Sequence, residues 1–284
     1  MKKFIVSDLH GDGLAYNSIM NYLDNISFKE DIMLYINGDL IDRGISSAPM
    51  LLDVIKRIKK CSYPIVYLGG NHELMLFQTF EKRRKGQPII VNEWYLNGGK
   101  VTDESLEELL NYDREKILEV VDFIGDLDIY TIFEEEQKNK NILLVHAASS
   151  PLIAGLKRYK IKDNTSQVER LVWTREEEYL MPFRCRIGND KFFTIVGHTP
   201  NDNNTGFVYN AKDNYLNIDG GCSYYVGGLK EYDHVPLVEV LEDHLEIITF
   251  NHNNEIILGN YFDSGNIIPF TEEELNRRKI YTKY

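Results

Sequence analysis

Ile32-Met33-Leu34-Tyr35-Ile36-Asn37-Gly38-Asp39-Leu40-Ile41-Asp42-Arg43-Gly44 carries most of the structural information in this chain. Its first five residues form a short, continuous apolar run rich in strand formers, the pattern of a strand buried on both faces. The run stops at Asn37-Gly38. Two acids and an arginine then follow, bracketed by Gly38 and Gly44. A lone Gly-Asp is usually only a turn, but a turn needs neither the second acid nor the arginine. The same arrangement flanks this stretch. Phe4-Ile5-Val6 runs into Ser7-Asp8-Leu9-His10-Gly11, and Pro64-Ile65-Val66-Tyr67-Leu68 runs into Gly69-Gly70-Asn71-His72-Glu73. Farther on, Ile142 to Val145 ends at His146, Phe192 to Val196 ends at Gly197-His198-Thr199, and Tyr215 to Ile218 ends at Asp219-Gly220-Gly221.

Helical patterns separate the early runs. One covers Leu14 to Leu23; a clearer one covers Met50 to Ile58, with apolar residues at helical spacing and basic residues near its end. Strands alternating with helices predict parallel βαβ units and an α/β fold. In such sheets, sites form at the carboxyl ends of strands, where the polar residues above fall. The stretch from about Leu74 to Phe133 reads as a mostly helical insert; within it Ile117, Val120, Val121 and Ile124 share one helix face. Glu134 to Lys140 reads as a charged turn. Val235 to Val240 and His244 to Phe250 alternate about Glu242-Asp243 as a hairpin does, and Thr271 to Glu274 fits a capping box opening a C-terminal helix. No internal repeat or domain boundary is visible, so residues 1–284 read as one domain with an insert at about 74–133.

Bulk properties exclude several classes. With 43% hydrophobic and 27% charged residues, the 284-residue chain has the composition of a soluble globular protein. A net charge of -12 argues against a basic nucleic-acid surface. The apolar start stops at Ser7, shorter than the ~7–15 apolar residues of a secretion signal, and no run approaches the ~20 of a membrane span. The three cysteines, Cys61, Cys185 and Cys222, form neither a zinc pattern nor a disulfide framework. The expectation is a cytoplasmic protein with no membrane or nucleic-acid partner; the sequence says nothing of oligomeric state.

The strand ends offer metal donors: Asp8, His10, Asp39, Asn71, His146 and His198. Carboxylate, imidazole and amide oxygen suit Mn, Fe or Zn. Six donors exceed one tetrahedral site but fit two ions about 3.5–4 Å apart sharing a carboxylate. Asp39 is the natural bridge, because its strand should lie centrally. A single histidine after a strand is usually structural; it is the ordered set that carries the reading. His234, His244 and His252 fit no ligand position.

Together these segments resemble the phosphoprotein phosphatase branch of the calcineurin-like metallophosphoesterases. That family's pattern is Gly-Asp-x-His-Gly, Gly-Asp-x-x-Asp-Arg-Gly, Gly-Asn-His-Glu and two later histidines. The match runs from Asp8 to His198, and arguably to Gly221, and the chain's size is similar to bacterial and phage members. The resemblance implies a central β-sandwich flanked by helices, and two divalent ions, Mn above Fe or Zn. It implies that Asp8 and His10 bind the first ion, that Asp39 bridges, and that Asn71, His146 and His198 complete the second. The catalytic set it implies is His72, Asp42 and Arg43: His72 as general acid, Asp42 orienting it, Arg43 holding phosphate oxygens. Asn71 and Arg175, the latter in a Trp173-Thr174-Arg175 segment similar to that of bacterial members, would also meet the phosphate. The implied reaction is direct in-line attack by a hydroxide bridging the metals.

The departures bear on substrate. Ser7 replaces a glycine, and Ala147-Ala148 follow His146 where glycine is usual. Gly69 stands where the protein phosphatases carry an arginine, which points toward dinucleoside tetraphosphates. Glu73 matches the protein phosphatases, which points the other way. Cys222, in a late Asp-x-Gly-Cys-like turn, reads as a small buried residue. The expected function is a serine/threonine-type protein phosphatase acting on a phosphorylated protein or a phosphoester small molecule. The alternatives are a symmetrical dinucleoside tetraphosphatase and a catalytically silent scaffold of the same fold.

Overall fold

The computed structural model describes residues 1–135, 140–147, 158–175, 186–187, 190–201, 203–210, 215–241, 244–263 and 266–282. Strands β1 (Lys2–Val6), β2 (Ile32–Asn37) and β3 (Ile65–Leu68) alternate with helices α1 (Gly13–Ser27) and α2 (Ser47–Lys60). They pair in parallel, Ile5 opposite Tyr35 and Tyr35 opposite Val66. Helices α3 (Asn71–Arg84), α4 (Glu93–Leu96), α5 (Lys100–Leu109) and α6 (Arg114–Gly125) follow. The chain then returns to strand: β4 (Tyr130–Glu135), β5 (Lys140–Val145), β6 (Arg186–Ile187), β7 (Asp190–Val196), β8 (Val208–Asn210) and β9 (Tyr215–Asn217), with α7 (Ser166–Trp173) after β5. After α8 (Cys222–Val226) come β10 (Val235–Val240), β11 (Leu245–Phe250), β12 (Ile256–Asp263), β13 (Asn266–Pro269) and α9 (Glu272–Lys279).

The helical stretch is therefore shorter than the sequence suggests. Tyr130 to Phe133, expected within the insert, are strand, because these β-branched and aromatic residues find antiparallel partners in 142–145. The hairpin expected about Glu242-Asp243 is present as the antiparallel β10–β11 pair. Those two residues, and 136–139 of the charged turn, lie outside the described residues, as do Ala148, Cys185 and Glu176 to Glu178.

Among the described residues, one sheet has the order β13-β12-β11-β10-β1-β2-β3 and the other β4-β5-β7-β9-β8, with β6 beside β7. Both are mixed. Successive side chains of a strand point to opposite faces. Ile5, Tyr35, Ile142, Leu144, Ile195 and Val238 form a core between the sheets. Phe4, Val6, Leu34, Leu143 and Val145 join a second core against the helices. The result is the expected sandwich flanked by helices. Asn37, fully buried at the end of β2, ties the layers together: its Nδ2 donates to Val145 O at 3.0 Å.

The helix ends follow local signals. Asp12 caps α1, accepting from the amides of Leu14 and Ala15, and Asp113 caps α6. Thr271 and Glu274 form the anticipated capping box of α9. Helix α9 is fastened by charge. Glu239 on β10 is fully buried between Lys2 at 2.9 Å and Arg278 at 2.7 Å; Arg278 also pairs with Glu246. A buried histidine joins the turn after β11 to the start of α1: His252 lies 2.7 Å from Asp12 and 2.6 Å from Asp233, with Tyr225 stacked on its ring at 3.4 Å.

Arg278→Met would leave Glu239 buried with half its compensation. The expected loss is about 3 kcal/mol in urea unfolding, since breaking a buried pair strands the remaining charge. A change below about 0.5 kcal/mol would mean that Lys2 alone balances Glu239.

Candidate metal centre

The polar residues that end the strands converge where the carboxyl ends of the two sheets meet. Asp8 and His10 lie in the loop after β1, and Asp39, Asp42 and Arg43 in the loop after β2. Asn71 and His72 open α3 directly after β3; His146 ends β5 and His198 follows β7. Six of these residues hold left-handed backbone: φ is 55° at Asp8, 45° at His10, 50° at Asp39, 75° at Asp42, 71° at Arg43 and 67° at His198. Non-glycine residues rarely occupy this region, and such strain needs surrounding structure to hold it. Backbone hydrogen bonds between the loops supply that hold. His10 N donates to Asp39 O at 2.9 Å, Gly44 N to His10 O at 3.0 Å, and Gly197 N to His146 O at 2.8 Å.

Asp39 is the centre. Its Oδ1 lies 3.4 Å from His146 Nε2 and accepts His72 N, at the start of α3, at 3.0 Å. Its Oδ2 lies 3.5 Å from His10 Nε2. The two oxygens thus face two donor groups. On one side are His146 Nε2 and His198 Nδ1, each within hydrogen-bonding distance of Asn71 Oδ1, at 3.1 and 2.9 Å. On the other are His10 and His72. The second nitrogen of each imidazole proposed as a ligand donates to a backbone carbonyl: His10 Nδ1 to Ile41, His146 Nδ1 to Asn37, His198 Nε2 to Trp173. With the outward proton held in this way, each ring in its neutral form presents the lone pair of its inward nitrogen to a ligand. Asp8 is buried beside the group, but its carboxylate is turned to Ser7 Oγ and to the His198 amide, the latter at 2.9 Å.

The electrostatics favour a cation here. Burial pushes the Asp8 carboxyl well above its usual range, with Asp219 and Asp39 adding repulsion. Asp219, also buried, is pushed up to about 6. Burial opposes a charge on Asp39, yet the facing imidazoles of His146 and His72 draw it well below the usual carboxylate range. For His146, burial works against the proton, but Asp39 and Asp8 raise its pKa to about 10. Burial and His146 lower His198 to about 3. Acids held high beside imidazoles driven in opposite directions mark a cluster short of positive charge. Divalent ions on either side of Asp39 would relieve it, and the N and O donors suit them. Another group, Asp12, Cys222 and His252, also brings donors together. There, His252 Nδ1 lies 2.6 Å from Asp233 Oδ1 and its Nε2 lies 2.7 Å from Asp12 Oδ2. Burial pushes the Cys222 thiol up, consistent with a small buried residue.

Beside the centre, His72 Nδ1 meets Asp42 Oδ2 at 2.6 Å. Burial disfavours the charged ring, but Asp39 and Asp42 outweigh it and raise the pKa. The exposed Arg43 reaches both rings, its Nη1 3.4 Å from His10 Nε2 and its Nη2 3.3 Å from His72 Nε2. Arg175 is exposed two residues beyond α7 and adds its positive charge to the field at His198.

Two substrate clues change meaning. Glu73 is fully buried and accepts from the amides of Asp39, Leu40 and Gly70 and from the Tyr67 hydroxyl. It clamps the Asp39 loop to the N-terminus of α3 and faces no substrate, so it does not speak for a protein substrate. Gly69 packs under Ile161, whose Cδ1 would lie 2.6 Å from an added Cβ. An arginine does not fit there with Ile161 in place. The sequence also missed two partners of Asp42: Trp94 Nε1 donates to its Oδ2 at 2.7 Å, and Thr102 Oγ1 to its Oδ1 at 2.5 Å.

Two mixed sheets presenting nitrogen and oxygen donors on both sides of one shared carboxylate, with an exposed arginine above, define a metallophosphoesterase. Residues 1–228 match the calcineurin-like phosphoesterase family, and the chain belongs to it. Curated relatives include a symmetrical bis(5'-nucleosyl)-tetraphosphatase of Wigglesworthia glossinidia brevipalpis, 30% identical over 153 residues, or 53% of this chain and 46% of that one. Its counterpart from Proteus mirabilis (strain HI4320) is 26% identical over 152 residues, 53% of this chain and 46% of the relative. The chain thus spans about half the length of these relatives. Among solved structures, a protein serine/threonine phosphatase from Saccharomyces cerevisiae with similarity to human phosphatase PP5 has TM-score 0.55 and 14% identity, covering 88% of this chain and 80% of that one. A mutant cold-active protein tyrosine phosphatase has TM-score 0.52 and 12% identity, covering 95% and 80%. At these identities the likeness is one of fold. Among the described residues, no helix is long and apolar enough to cross a membrane.

A pH consequence follows from His146. Its folded pKa lies above the ordinary 6.5, so the protonated ring stabilises the stripped protein below about 6.5, and this is lost as pH rises through about 10. A ligating imidazole must be neutral. Adding divalent metal to chelator-stripped protein at pH 8 in weak buffer should release about one proton, and apparent affinity should rise about tenfold per pH unit toward 10. Binding without proton release would remove His146 from the ligand set.

Proposed function

We propose that this chain is a phosphoester hydrolase working with two divalent ions, Mn first, held by Asp8, His10, Asp39, Asn71, His146 and His198. The supporting observation is the division of Asp39's two oxygens between two groups of inward-facing donors. We read residues 1–284 as one such domain with a helical insert that begins at about 74 and ends with α6 at Gly125.

When bound, the ions neutralise phosphate charge and activate a water. The chain's own residues do the rest. Arg43, solvent-facing above the centre, offers a planar fork to the non-bridging phosphate oxygens. Asn71 and Arg175 flank that position in this reading. His72, its Nδ1–H held by Asp42, points Nε2 into the site and, as the imidazolium, gives the leaving oxygen the Nε2 proton and becomes neutral. Two substrate classes stand level. The curated relatives favour a dinucleoside tetraphosphate, and a phosphoserine or phosphothreonine protein rests on the resemblance of the motifs.

The paired measurement is kcat/KM of the Mn-loaded protein on a phosphothreonine peptide and on diadenosine tetraphosphate. A clear preference for either assigns the class. Turnover of neither, with ions bound, would turn the chain into a binding protein on a hydrolase fold. His72→Asn should keep its metal and slow a phosphoserine peptide by about 100-fold or more. It should slow a nitrophenyl ester far less. Equal losses on the two would remove His72 as the acid.

A further inference from the structure

We propose that Trp94 and Thr102, both in the helical insert, are positioning residues that hold the general acid His72 in its working orientation through Asp42. The inference rests on the hydrolase reading above and adds a role for the insert.

Asp42 is fully buried, as is Thr102; Trp94 is 1% exposed. The carboxylate of Asp42 meets three side-chain donors. Its Oδ2 takes both the His72 ring at 2.6 Å and the Trp94 indole at 2.7 Å; its Oδ1 takes the Thr102 hydroxyl at 2.5 Å. The Thr102 oxygen accepts the Asp42 amide in turn, at 3.1 Å. One threonine therefore grips the backbone and the side chain of the same residue and fixes its rotamer. The grip is needed because Asp42 and Arg43 are successive left-handed residues, at φ 75° and 71°. The insert also holds the second of them: Arg43 N donates to Gly98 O at 3.1 Å. That approach demands glycine, since a Cβ at Gly98 would lie 2.7 Å from Arg43 Cγ, and one at Gly99 only 2.2 Å from the Trp94 ring. Phe80 packs near Trp94, ring centroids 6.0 Å apart, and anchors the indole to α3, the helix that carries His72.

Without these two donors, Asp42 would hold His72 by one hydrogen bond from a strained turn, free to rotate about its own side chain. With them, the imidazole has one available orientation, Nε2 toward the site. Neither Trp94 nor Thr102 reaches the reacting atoms, so their effect should appear only where the acid is needed.

The test compares wild type with Trp94→Phe, Thr102→Val and Thr102→Ser, all Mn-loaded. Phenyl phosphate has a poor leaving group; 2,4-dinitrophenyl phosphate leaves without a proton. Trp94→Phe and Thr102→Val should lower kcat on phenyl phosphate about tenfold. The loss should be at least about fivefold larger than on the dinitrophenyl ester, with KM little moved. Thr102→Ser should restore most of it. Equal losses on both esters, or none, would overturn the proposal. A second readout needs no turnover: the low-field proton of His72 Nδ1, identified by its disappearance in His72→Asn. It should shift or broaden in Trp94→Phe and Thr102→Val, and an unmoved resonance would overturn the proposal. If wild type hydrolyses neither ester and not diadenosine tetraphosphate either, the hydrolase reading falls, while the resonance still decides whether the insert positions His72.

Discussion

One buried carboxylate organises this molecule. Asp39 is 2% exposed and has imidazoles on both sides. A charge in that place is tolerable only if the surroundings are built to keep it. Glu73 pins the Asp39 amide, the first turn of α3 offers the His72 amide, and histidines from both sheets turn a nitrogen inward. The sandwich brings the two sheets' strand ends to one point, and Asn37 seals the joint. Much of the fold can be read as a means of surrounding Asp39 with donors on both faces.

Holding that arrangement costs backbone strain, concentrated where function is read. The left-handed residues of the strand-end loops are kept in place by hydrogen bonds from neighbouring loops, by Glu73, and by the insert. Stability and chemistry are therefore coupled here. Weakening the insert's hold on Asp42 and Arg43 loosens a turn that would otherwise relax toward ordinary backbone angles.

The elements that sequence reasoning located were those with local signatures. The short apolar runs become β1, β2, β3, β5, β7 and β9, because a run buried on both faces has few other places to go. The cap at Thr271 was legible because its bonds span only a few residues. It erred where a short segment was ambiguous, as at Tyr130 to Phe133, whose strand partners lie downstream. It also erred where a residue type was read for its chemistry rather than its direction. Glu73 reads as a clue to substrate, yet its side chain points into the protein and meets four donors.

The sequence by itself determined the order of strands and helices, the donor types at each strand end, and the pairing of Asp42 with His72 implied by the family pattern. The first two follow from periodicity and from motifs only a few residues long; the third, across 30 residues, is implied only by the resemblance. The tertiary structure alone decided which oxygen of Asp39 faces which histidine, that Asp8 turns toward Ser7 and His198, that His252 lies beside Asp12, and that Trp94 and Thr102 reach Asp42. The last two contacts span 52 and 60 residues. No local pattern encodes a contact at that separation; it exists because packing α4 against α3 and α5 against α2 leaves a buried carboxylate, and the donors within reach are the ones the fold happens to bring.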